Sequence, residues 1–383
     1  MNQARPIKVL QIIARMNVGG PAVIVTELMQ GLDPSLFKVH LVTGYCAQDE
    51  VDYLDQLAPN TPVTRISGLG RSISLLRDFK SFFELLKLIR GYQPDVIHTH
   101  TSKAGVLGRI AGLIGRPNAK RIHTYHGHLL NGYFVTWKRW VVIMIERLLA
   151  CFSSALIAVG YQVRDDLLRA RIGKQERYFV IFPGLRDLKT QSKASARNEL
   201  NLQQDKTYLV FVGRLTLIKR PDRLVEIARH LKVNNSNAAL IIVGAGEKFI
   251  EIQELATNES LPIVFLGWRY DIGRILSASD IAILCSENEG IPLTLIQASQ
   301  AGLPIVSTNV GSVGDIVMNN ETGILTEVNS NSLIYAIDEL LTDLEKMARF
   351  GQAGKKRVEA LFSLRAMVNA HENLYSQVIE RND

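Results

Sequence analysis

The stretch Ser286-Glu-Asn-Glu-Gly-Ile-Pro-Leu-Thr-Leu-Ile-Gln-Ala-Ser-Gln-Ala-Gly-Leu-Pro-Ile-Val-Ser-Thr308 decides how this chain folds. It follows a short apolar run, Asp280–Cys285, which is typical of a buried strand. Pro292 suits the first turn of a helix, and Gly302 marks the end of that helix. Pro304 then opens a second apolar run. The pattern therefore predicts a strand, a tight loop, a helix and a second strand.

The loop of this stretch has the chemistry of an anion site. The predicted helix leaves free N–H groups just after Glu289 and Gly290, where unpaired amides and the helix dipole both favour negative charge. The carboxylate of Glu289 would repel a phosphate unless it faces a neutral, hydroxyl-rich group beside that phosphate. A sugar phosphate combines both features, so the stretch predicts a site for such a ligand.

Composition points to a folded enzyme-sized chain. The 383 residues are 47% hydrophobic and 21% charged, which predicts two or three domains of ordinary size. Three cysteines, Cys46, Cys151 and Cys285, are far apart and odd in number, so neither a disulfide framework nor zinc-ligand spacing is predicted. The apolar run 8–13 is too short for a signal peptide and Arg15 interrupts it. These features favour a cytoplasmic protein.

Positive charge is concentrated in the first half. Residues 1–190 carry 25 Lys and Arg against 14 Asp and Glu, whereas the remainder carries 19 against 23. This asymmetry is typical of a surface that meets anionic lipid, nucleic acid or a phosphorylated substrate. The alternative is solvated charge spread over a surface.

An aromatic and basic segment lies within this half. Residues 133–140 interleave aromatic side chains with Lys138 and Arg139, as in an interfacial membrane patch or in a core helix with a snorkelling basic end. The charge asymmetry favours contact with the inner face of an anionic membrane. The apolar window 140–160 contains Glu146 and Arg147, which disfavours a spanning helix, and we interpret it as a helix followed by a strand.

Strands and helices alternate along the whole chain, which predicts parallel sheets covered by helices. The predicted strands are residues 7–13, 38–43, 95–100, 121–126, 154–159 and 178–182, then 208–212, 239–243, 263–266 and the two in the opening stretch. The spacing of Phe79, Phe82, Phe83, Leu86 and Ile89 places them on one face of a predicted helix over 79–92. The pattern predicts an α/β protein with doubly wound domains at 1–185 and 186–360, followed by a terminal helix in 361–383.

Histidines cluster near the predicted strand ends of the first domain, namely His98, His100, His123, His126 and His128. His98 and His100 share one face of a strand by the two-residue period. A zinc site is one interpretation, but no cysteine or acidic ligand accompanies the cluster. The favoured interpretation is that these strand ends deliver polar side chains to the ligand crevice of an open parallel sheet.

Glu289 is followed eight positions later by Gln297, with Gly-x-Pro after the glutamate and Ala-Gly-x-Pro after the helix. This motif and two others resemble those of the retaining glycosyltransferases of family 4. The family has a second glutamate where Gln297 stands. Gly213-Arg-Leu-Thr-Leu-Ile-Lys219 is similar to the family's Gly-Arg-Leu-x-x-x-Lys element, and Thr124-Tyr-His-Gly127 to its Thr-x-His-Gly stretch. The resemblance implies the GT-B fold, in which two Rossmann-like domains face across a cleft and the C-terminal helix crosses back to the first domain.

The resemblance also implies an activity. It is the metal-independent, retaining transfer of a hexose from a nucleoside diphosphate sugar, with UDP-sugar favoured, to a glycan or lipid-linked acceptor bound by the first domain. The aromatic and basic segment, and not the resemblance, favours a polyprenyl-linked acceptor. No cofactor is implied. Arg214 and Lys219 would neutralise the leaving diphosphate, since the chain has no Asp-x-Asp metal anchor. Glu289 would orient the sugar ring and His126 would approach the sugar and phosphate. The other implied substrate-binding residues are Gly19, Gly20, Trp268, Arg269, Gly290, Ile291, Pro292, Leu293, Thr294 and Gln297.

Other interpretations are less consistent with the sequence. The segment Val243-Gly-Ala-Gly246 has the first two glycines of a dinucleotide fingerprint, but Phe249 occupies the third position. A nucleotide-sugar epimerase of the same fold and a sugar-nucleotide-binding protein with little catalysis are the alternatives that we retain, the second because of Gln297. No known nucleic-acid-binding motif is present, so we expect no nucleic-acid partner.

Overall fold

The computed structural model describes residues 5–48, 50–72, 74–127, 136–234 and 237–381. It divides into two compact units. Unit 1 comprises Met1–Gly184 with Leu364–Asp383, and unit 2 comprises Leu185–Ser363. Each unit contains one parallel sheet with helices in the strand connections, as the strand–helix alternation predicts.

The sheet of unit 1 has seven strands in the order β3-β2-β1-β4-β5-β6-β7. The strands are β1 (Ile7–Ile13), β2 (Phe37–Thr43), β3 (Val63–Arg65), β4 (Val96–His100), β5 (Lys120–Tyr125), β6 (Ala155–Ala158) and β7 (Tyr178–Val180). The helices between them are α1 (Gly20–Gly31), α2 (Tyr53–Leu57), α3 (Leu75–Tyr92), α4 (Ser102–Gly115), α5 (Thr136–Cys151) and α6 (Tyr161–Arg169). Since β1 pairs with both β2 and β4, the strand order reverses beside β1.

The central strands of unit 1, β1, β4, β5 and β6, are largely buried on both faces because helices cover the sheet on two sides. In β1 the side chains of Val9, Leu10 and Ile12 are fully buried, so this strand does not alternate between core and solvent. Helix α5 is joined to this core by a buried ion pair. The Glu146 carboxylate accepts two hydrogen bonds from Arg109 Nη2 of α4, at 2.8 and 2.7 Å.

The sheet of unit 2 has six strands in the order β10-β9-β8-β11-β12-β13. The strands are β8 (Thr207–Val212), β9 (Ala238–Val243), β10 (Ile263–Gly267), β11 (Ile281–Leu284), β12 (Ile305–Thr308) and β13 (Gly323–Thr326). The helices are α7 (Lys193–Glu199), α8 (Pro221–Asn234), α9 (Phe249–Asn258), α10 (Ile272–Ala278), α11 (Leu293–Gln300), α12 (Val313–Ile316), α13 (Ser330–Thr342) and α14 (Leu344–Leu361). Here the strand order reverses beside β8, which pairs with β9 and β11.

The last helix, α15 (Leu364–Glu380), belongs to unit 1, which confirms the prediction that the terminal helix returns to the first domain. It packs on α1, and the approach is close because Gly31 has no side chain. A Cβ atom at Gly31 would lie 2.5 Å from Val368 Cγ2. Tyr375 and Met367 of α15 are buried in this unit.

Several features differ from the sequence-based expectations. The short edge strands β3 and β13 and the polar helix α7 were not predicted, because none has an apolar period of its own. In α7, Arg197 instead pairs with Asp280 at 2.7 Å. Helix α3 begins at Leu75, and Phe79 and Phe83 are 65% and 49% exposed, so the predicted aromatic face is only partly buried.

Two sequence interpretations fall outside the described residues. The first concerns His128. The second concerns the aromatic and basic segment, of which residues 133–135 and the side chains of residues 136–138 are not described. None of the helices in the described ranges combines the length and apolar character that crossing a membrane requires.

Candidate active site

Two loops of unit 2 meet where the strand order reverses. The loop after β8 spans residues 213–220 and the loop after β11 spans 285–292, and both leave the carboxyl edge of the sheet. Open parallel sheets bind ligands at such a reversal point. Backbone contacts join the loops, since Glu287 N donates to Ile218 O at 2.9 Å. Cys285 Sγ also lies 3.2 Å from Lys219 O, as donor to that carbonyl.

Lys219 and Glu289 form an ion pair at this edge. The distance from Lys219 Nζ to Glu289 Oε1 is 2.5 Å, and Ser286 Oγ donates to the same carboxylate oxygen at 2.6 Å. The second oxygen, Oε2, accepts no hydrogen bond from the described residues. The side chains are 22% and 9% exposed. Lys219 therefore offsets the charge of Glu289, which removes the repulsion that this carboxylate would exert on a nearby phosphate.

Arg214 differs from Lys219 in having no partner in the part of the chain that the structure describes. Its side chain is exposed and makes no hydrogen bond or ion pair with any residue that the structure describes. It lies two residues beyond the end of β8, in the same loop as Lys219. An unpaired guanidinium offers a planar set of donors that matches phosphate oxygens.

Helix α11 begins one residue later than the sequence predicts. Pro292 is its N-cap, with φ −76° and ψ 107°, and the first helical residue is Leu293. A proline costs nothing here because no intrahelical bond requires its N–H. The first-turn amides of Leu293 and Thr294 have no carbonyl within the helix to receive them. Ile291 is buried, and Gly290 O accepts from Ser312 N at 3.0 Å, which holds the loop before the helix.

Gln297 lies on the half-buried side of α11. Thr294 and Gln297, three residues apart, are both half-buried, whereas Leu295, Ile296 and Ala298 are buried in the core. The side-chain amide of Gln297 makes no hydrogen bond within the described part of the chain. It is therefore available to a ligand at the start of α11.

The loop after β10 contains Trp268 and Arg269. Trp268 is 42% exposed and its ring contacts Tyr270 edge-on, with 3.9 Å between centroids. Arg269 donates to both carboxylate oxygens of Asp271, at 2.7 and 2.6 Å, so its guanidinium is already engaged. The exposed indole is thus the more accessible of the two side chains.

The glycine-rich segment after β9 packs against the loop after β8. Gly244 has φ +131°, and a Cβ atom there would lie 2.0 Å from Gly213 O. Gly246 has φ +157°, and its Cβ would lie 2.5 Å from Leu215 O. These glycines are required for close loop packing, which explains their presence without a dinucleotide site.

In unit 1 the predicted residues lie at the carboxyl edge of the sheet. Gly19 is the N-cap of α1 and Gly20 its first residue, after β1. Gly19 has φ 168°, an extended conformation that any residue adopts. His126 directly follows β5, and its Nε2 lies 2.9 Å from Nδ1 of His100, the last residue of β4.

The histidine cluster consists of neutral, hydrogen-bonded side chains. Burial lowers the pKa of His126 to about 3, and it holds the pKa of His98, His100 and His123 well below the ordinary value. Both ring nitrogens of His98 and of His100 already have hydrogen-bond partners. Within the described ranges, no three His, Cys, Asp or Glu side chains are grouped so that they could hold a metal ion.

Sequence reasoning missed the residues that fix the loop. Ser286 and Ser312 had no predicted role, yet Ser286 Oγ holds Glu289 and Ser312 N holds Gly290. Ser286 lies three residues before Glu289, a spacing at which a hydroxyl reaches a neighbouring side chain in a turn. Nothing in the sequence near Ser312 indicates its contact, because it comes from the loop after a different strand.

Comparison with known proteins agrees with this arrangement. Residues 192–357 match the family Glycosyl transferases group 1, and residues 19–184 match the Glycosyl transferase 4-like domain. A UDP-Gal:alpha-D-GlcNAc-diphosphoundecaprenol alpha-1,3-galactosyltransferase of Escherichia coli is 31% identical over 313 residues, which cover 76% of this chain and 78% of the relative. An N-acetyl-alpha-D-glucosaminyl L-malate synthase of Bacillus anthracis is 27% identical over 95% of both chains.

Solved structures with the same fold are also known. Anabaena HepE in complex with UDP superposes with a TM-score of 0.83 at 20% identity, over 97% of this chain and 100% of that chain. The predicted GT-B fold is thereby confirmed. The motifs, the two Rossmann-like units and these matches lead to one conclusion: the chain belongs to the glycosyl transferases group 1 family and is a glycosyltransferase.

Proposed function

We propose that this enzyme transfers a hexose from a UDP-sugar to a lipid-linked glycan, with retention of anomeric configuration and without a metal ion. The observation that carries the proposal is the pairing of Lys219 with Glu289 beside the start of α11, with the free guanidinium of Arg214 in the same loop as Lys219. The names of relatives support the substrate classes. The Escherichia coli relative uses UDP-Gal and a diphosphoundecaprenol acceptor, and HepE was solved with UDP-glucose.

The diphosphate is held by fixed positive groups. The first-turn amides of α11 and the guanidinium of Arg214 donate to its oxygens, and Lys219 lies between the Glu289 carboxylate and the phosphate. Such preorganised donors stabilise charge that develops on the leaving group. In this arrangement two side-chain cations take the role that a divalent ion has in other transferases.

The transfer step breaks the bond between the anomeric carbon and the diphosphate oxygen. The bonding electron pair goes to the diphosphate, and the acceptor hydroxyl oxygen forms the new bond on the same face of the sugar. The acceptor's proton passes to the departing phosphate oxygen. No nucleophilic side chain is needed.

Glu289 orients the sugar ring. Its Oε1 is held by Lys219 and Ser286, so its Oε2 is the oxygen that accepts from a sugar hydroxyl. Gln297, about one turn into α11, bonds the ribose hydroxyls, and the exposed indole of Trp268 in the Trp268–Arg269 loop contacts the base. The loop residues Gly290 and Ile291 contribute backbone N–H donors, and Pro292, which has no N–H, contributes only to the shape of the loop.

Unit 1 supplies the remaining contacts. We assign the acceptor to this unit. Gly19 and Gly20 have no side chains, so the acceptor can approach their backbone closely, and His126 contacts a substrate hydroxyl. The positive charge of the first half suits an acceptor that carries a diphosphate.

Contact with an anionic membrane surface is part of the proposal. Helix α3 exposes Leu75 and Leu76, at 87% and 86%, and α5 exposes Trp140 and Leu148, at 65% and 61%. Arg139 beside Trp140 is also exposed. Apolar side chains next to basic residues are typical of a surface that rests on anionic lipid, where a polyprenyl-linked acceptor is found.

Turnover of Arg214→Ala tests the proposal. The assay uses UDP-galactose and a polyprenyl diphosphate carrying N-acetylglucosamine. We expect turnover to fall by on the order of 10² to 10³, as when other preorganised charge donors are removed. Arg349→Ala, which removes an exposed arginine of α14, is the matched control and should retain full activity. Near-normal turnover of Arg214→Ala would contradict the proposal.

A further inference from the structure

A continuous chain of hydrogen bonds runs through the interior of unit 1, which we call the buried polar chain. Its members in order are His126, His100, Gln11, Tyr375, His98 and Thr124. The successive distances are 2.9, 2.5, 3.0, 2.7 and 2.7 Å. Apart from His126, every member is at most 3% exposed. The chain thus links the carboxyl edge of the sheet to the last helix, α15, which carries Tyr375.

The donor-to-acceptor direction along the buried polar chain follows from the side-chain amide of Gln11. Gln11 Nε2 donates to the Tyr375 hydroxyl oxygen, so Gln11 Oε1 faces His100. An amide oxygen only accepts, and therefore His100 Nε2 carries a proton. Because burial keeps the pKa of His100 far below its ordinary value, the ring is neutral and its Nδ1 has a lone pair.

That lone pair determines the tautomer of His126. His100 Nδ1 can only accept, so His126 Nε2 is the donor across the 2.9 Å contact. Burial lowers the pKa of His126 to about 3, and its ring therefore carries one proton, on Nε2. The opposite nitrogen, Nδ1, has a lone pair, is buried and has no hydrogen-bond partner among the described residues.

The hydrogen bonds at the other end of the buried polar chain have the same donor-to-acceptor direction. Tyr375 receives the Gln11 proton and gives its own to His98 Nδ1 at 2.7 Å. His98 Nε2 then donates to Thr124 Oγ1. All five bonds are oriented from His126 towards Thr124, so each member reinforces the next.

We propose that Tyr375 and Gln11 are positioning residues: through the buried polar chain they hold the proton of His126 on Nε2 and leave Nδ1 as the acceptor for the substrate hydroxyl of the proposed function. A lone pair cannot donate to a phosphate oxygen, so with this tautomer we expect Nδ1 of His126 to contact a hydroxyl and not the phosphate. The tautomer is a property of unit 1 alone, whereas the identity of the hydroxyl as that of a sugar rests on the proposed function. Specificity at this position would favour a hydroxyl over a bare phosphate oxygen.

The tautomer is measured first, on ligand-free protein with ¹⁵N-labelled histidine. Two-bond ¹H–¹⁵N correlation spectra report which ring nitrogen carries the proton, and His126→Asn identifies the signal. We expect a proton on Nε2 of His126 and of His100. Protons on Nδ1 of both rings would mean that the chain is oriented the opposite way and would overturn the proposal. This outcome does not depend on any activity.

Tyr375→Phe then tests the positioning role, with Tyr178→Phe as the matched control. Tyr178 is another tyrosine of unit 1 whose hydroxyl donates to a backbone carbonyl, that of Ile172, at 2.8 Å. We expect Tyr375→Phe to give His126 a detectable Nδ1-protonated fraction and to lower kcat roughly tenfold, the equivalent of about one hydrogen bond. Tyr178→Phe should leave the tautomer unchanged. An unchanged tautomer in a folded Tyr375→Phe protein would overturn the role of Tyr375.

Ligand titrations identify the hydroxyl. UDP-galactose, UDP alone and the acceptor alone are added separately while the His126 Nδ1 resonance is followed. A shift with UDP-galactose but not with UDP assigns the hydroxyl to the donor sugar, and a shift with the acceptor alone assigns it to the acceptor. An equal shift with UDP alone, or no shift with any of the three, would overturn the proposed contact.

Discussion

Lys219 Nζ lies 2.5 Å from Glu289 Oε1, although 70 residues separate the two in sequence. The pair shows how a carboxylate can stand beside a diphosphate site. One oxygen of Glu289 is balanced by the cation and the other remains open. Lys219 therefore has two partners in the proposed complex, the carboxylate and the phosphate.

Removal of Lys219 should damage donor binding more than the loss of a simple cation would. In Lys219→Met, the carboxylate of Glu289 is left uncompensated next to the diphosphate, so we expect KM for UDP-galactose to rise and turnover to fall by on the order of 10² to 10³. Steady-state kinetics measure both values.

A double-mutant cycle separates repulsion from lost attraction. The double variant Lys219→Met with Glu289→Gln has no carboxylate at position 289 to repel the diphosphate. Its rise in KM should therefore be smaller than the sum of the changes, in free energy, of the two single variants. Strict additivity would show that Glu289 and Lys219 act independently, contrary to the observed pair.

Gln297→Glu should tighten UDP binding. The Gln297 side chain has no hydrogen-bond partner among the described residues and, in the proposed complex, lies beside the ribose. A carboxylate forms stronger, charge-assisted bonds to ribose hydroxyls than an amide does. We expect Kd for UDP to fall about fivefold in isothermal titration, the equivalent of about 1 kcal/mol. Gln253→Glu, an exposed change on α9, controls for added charge and should leave Kd unchanged. Weaker binding by Gln297→Glu would place position 297 away from the ribose.

Unit 1 should lose stability as the pH falls below the ordinary histidine value. Burial lowers the folded-state pKa of six described histidines of unit 1, to about 3 for His126 and about 4 for His371. The other four are His40, His98, His100 and His123. The unfolded chain takes up these protons from about pH 6.5 downwards, and the folded unit does not. The free energy of unfolding should therefore decrease steadily as the pH falls below about 6.5, because only the unfolded chain binds these protons there.

Urea unfolding at a series of pH values measures this dependence. Unit 2 has one histidine, His230, so its unfolding transition serves as an internal control with a much smaller change over the same range. A unit 1 transition that does not change between pH 7 and 5 would contradict the buried, neutral cluster.

The membrane surface can be tested without disturbing the core. Leu75→Ser with Leu76→Ser changes two residues that are 87% and 86% exposed, so the free energy of unfolding should change by less than about 0.5 kcal/mol per site. Sedimentation with vesicles containing anionic lipid should show weaker binding. Val233→Ser, an 81% exposed position on α8, is the matched control. Unchanged vesicle binding by the α3 variant would show that α3 is not part of the membrane-binding surface.

The sequence was sufficient for the architecture because the main strands are long apolar runs. Strands such as β1 and β9, and the amphipathic helices that connect strands, follow from the pattern of their own residues. Gly302 follows the end of α11 with φ +77°, a conformation that glycine favours. The short edge strand β3 and the polar helix α7 were missed since neighbouring elements stabilise them.

The site was only partly predictable for a similar reason. The motifs identified Arg214, Lys219 and Glu289, but the ion pair between the last two depends on how two distant loops meet. The continuity of the buried polar chain depends on Tyr375 of the last helix, which no motif near His126 indicates. Sequence patterns report local chemistry, and the partner of each polar group is set by the fold.

The most direct measurement of the central claim is the binding preference for UDP over UMP in wild type and Arg214→Ala. If Arg214 and the start of α11 hold the distal phosphate, wild type should bind UDP more tightly by on the order of tenfold to a hundredfold, and Arg214→Ala should lose most of that preference. An unchanged ratio of the two Kd values in Arg214→Ala would show that the diphosphate binds elsewhere.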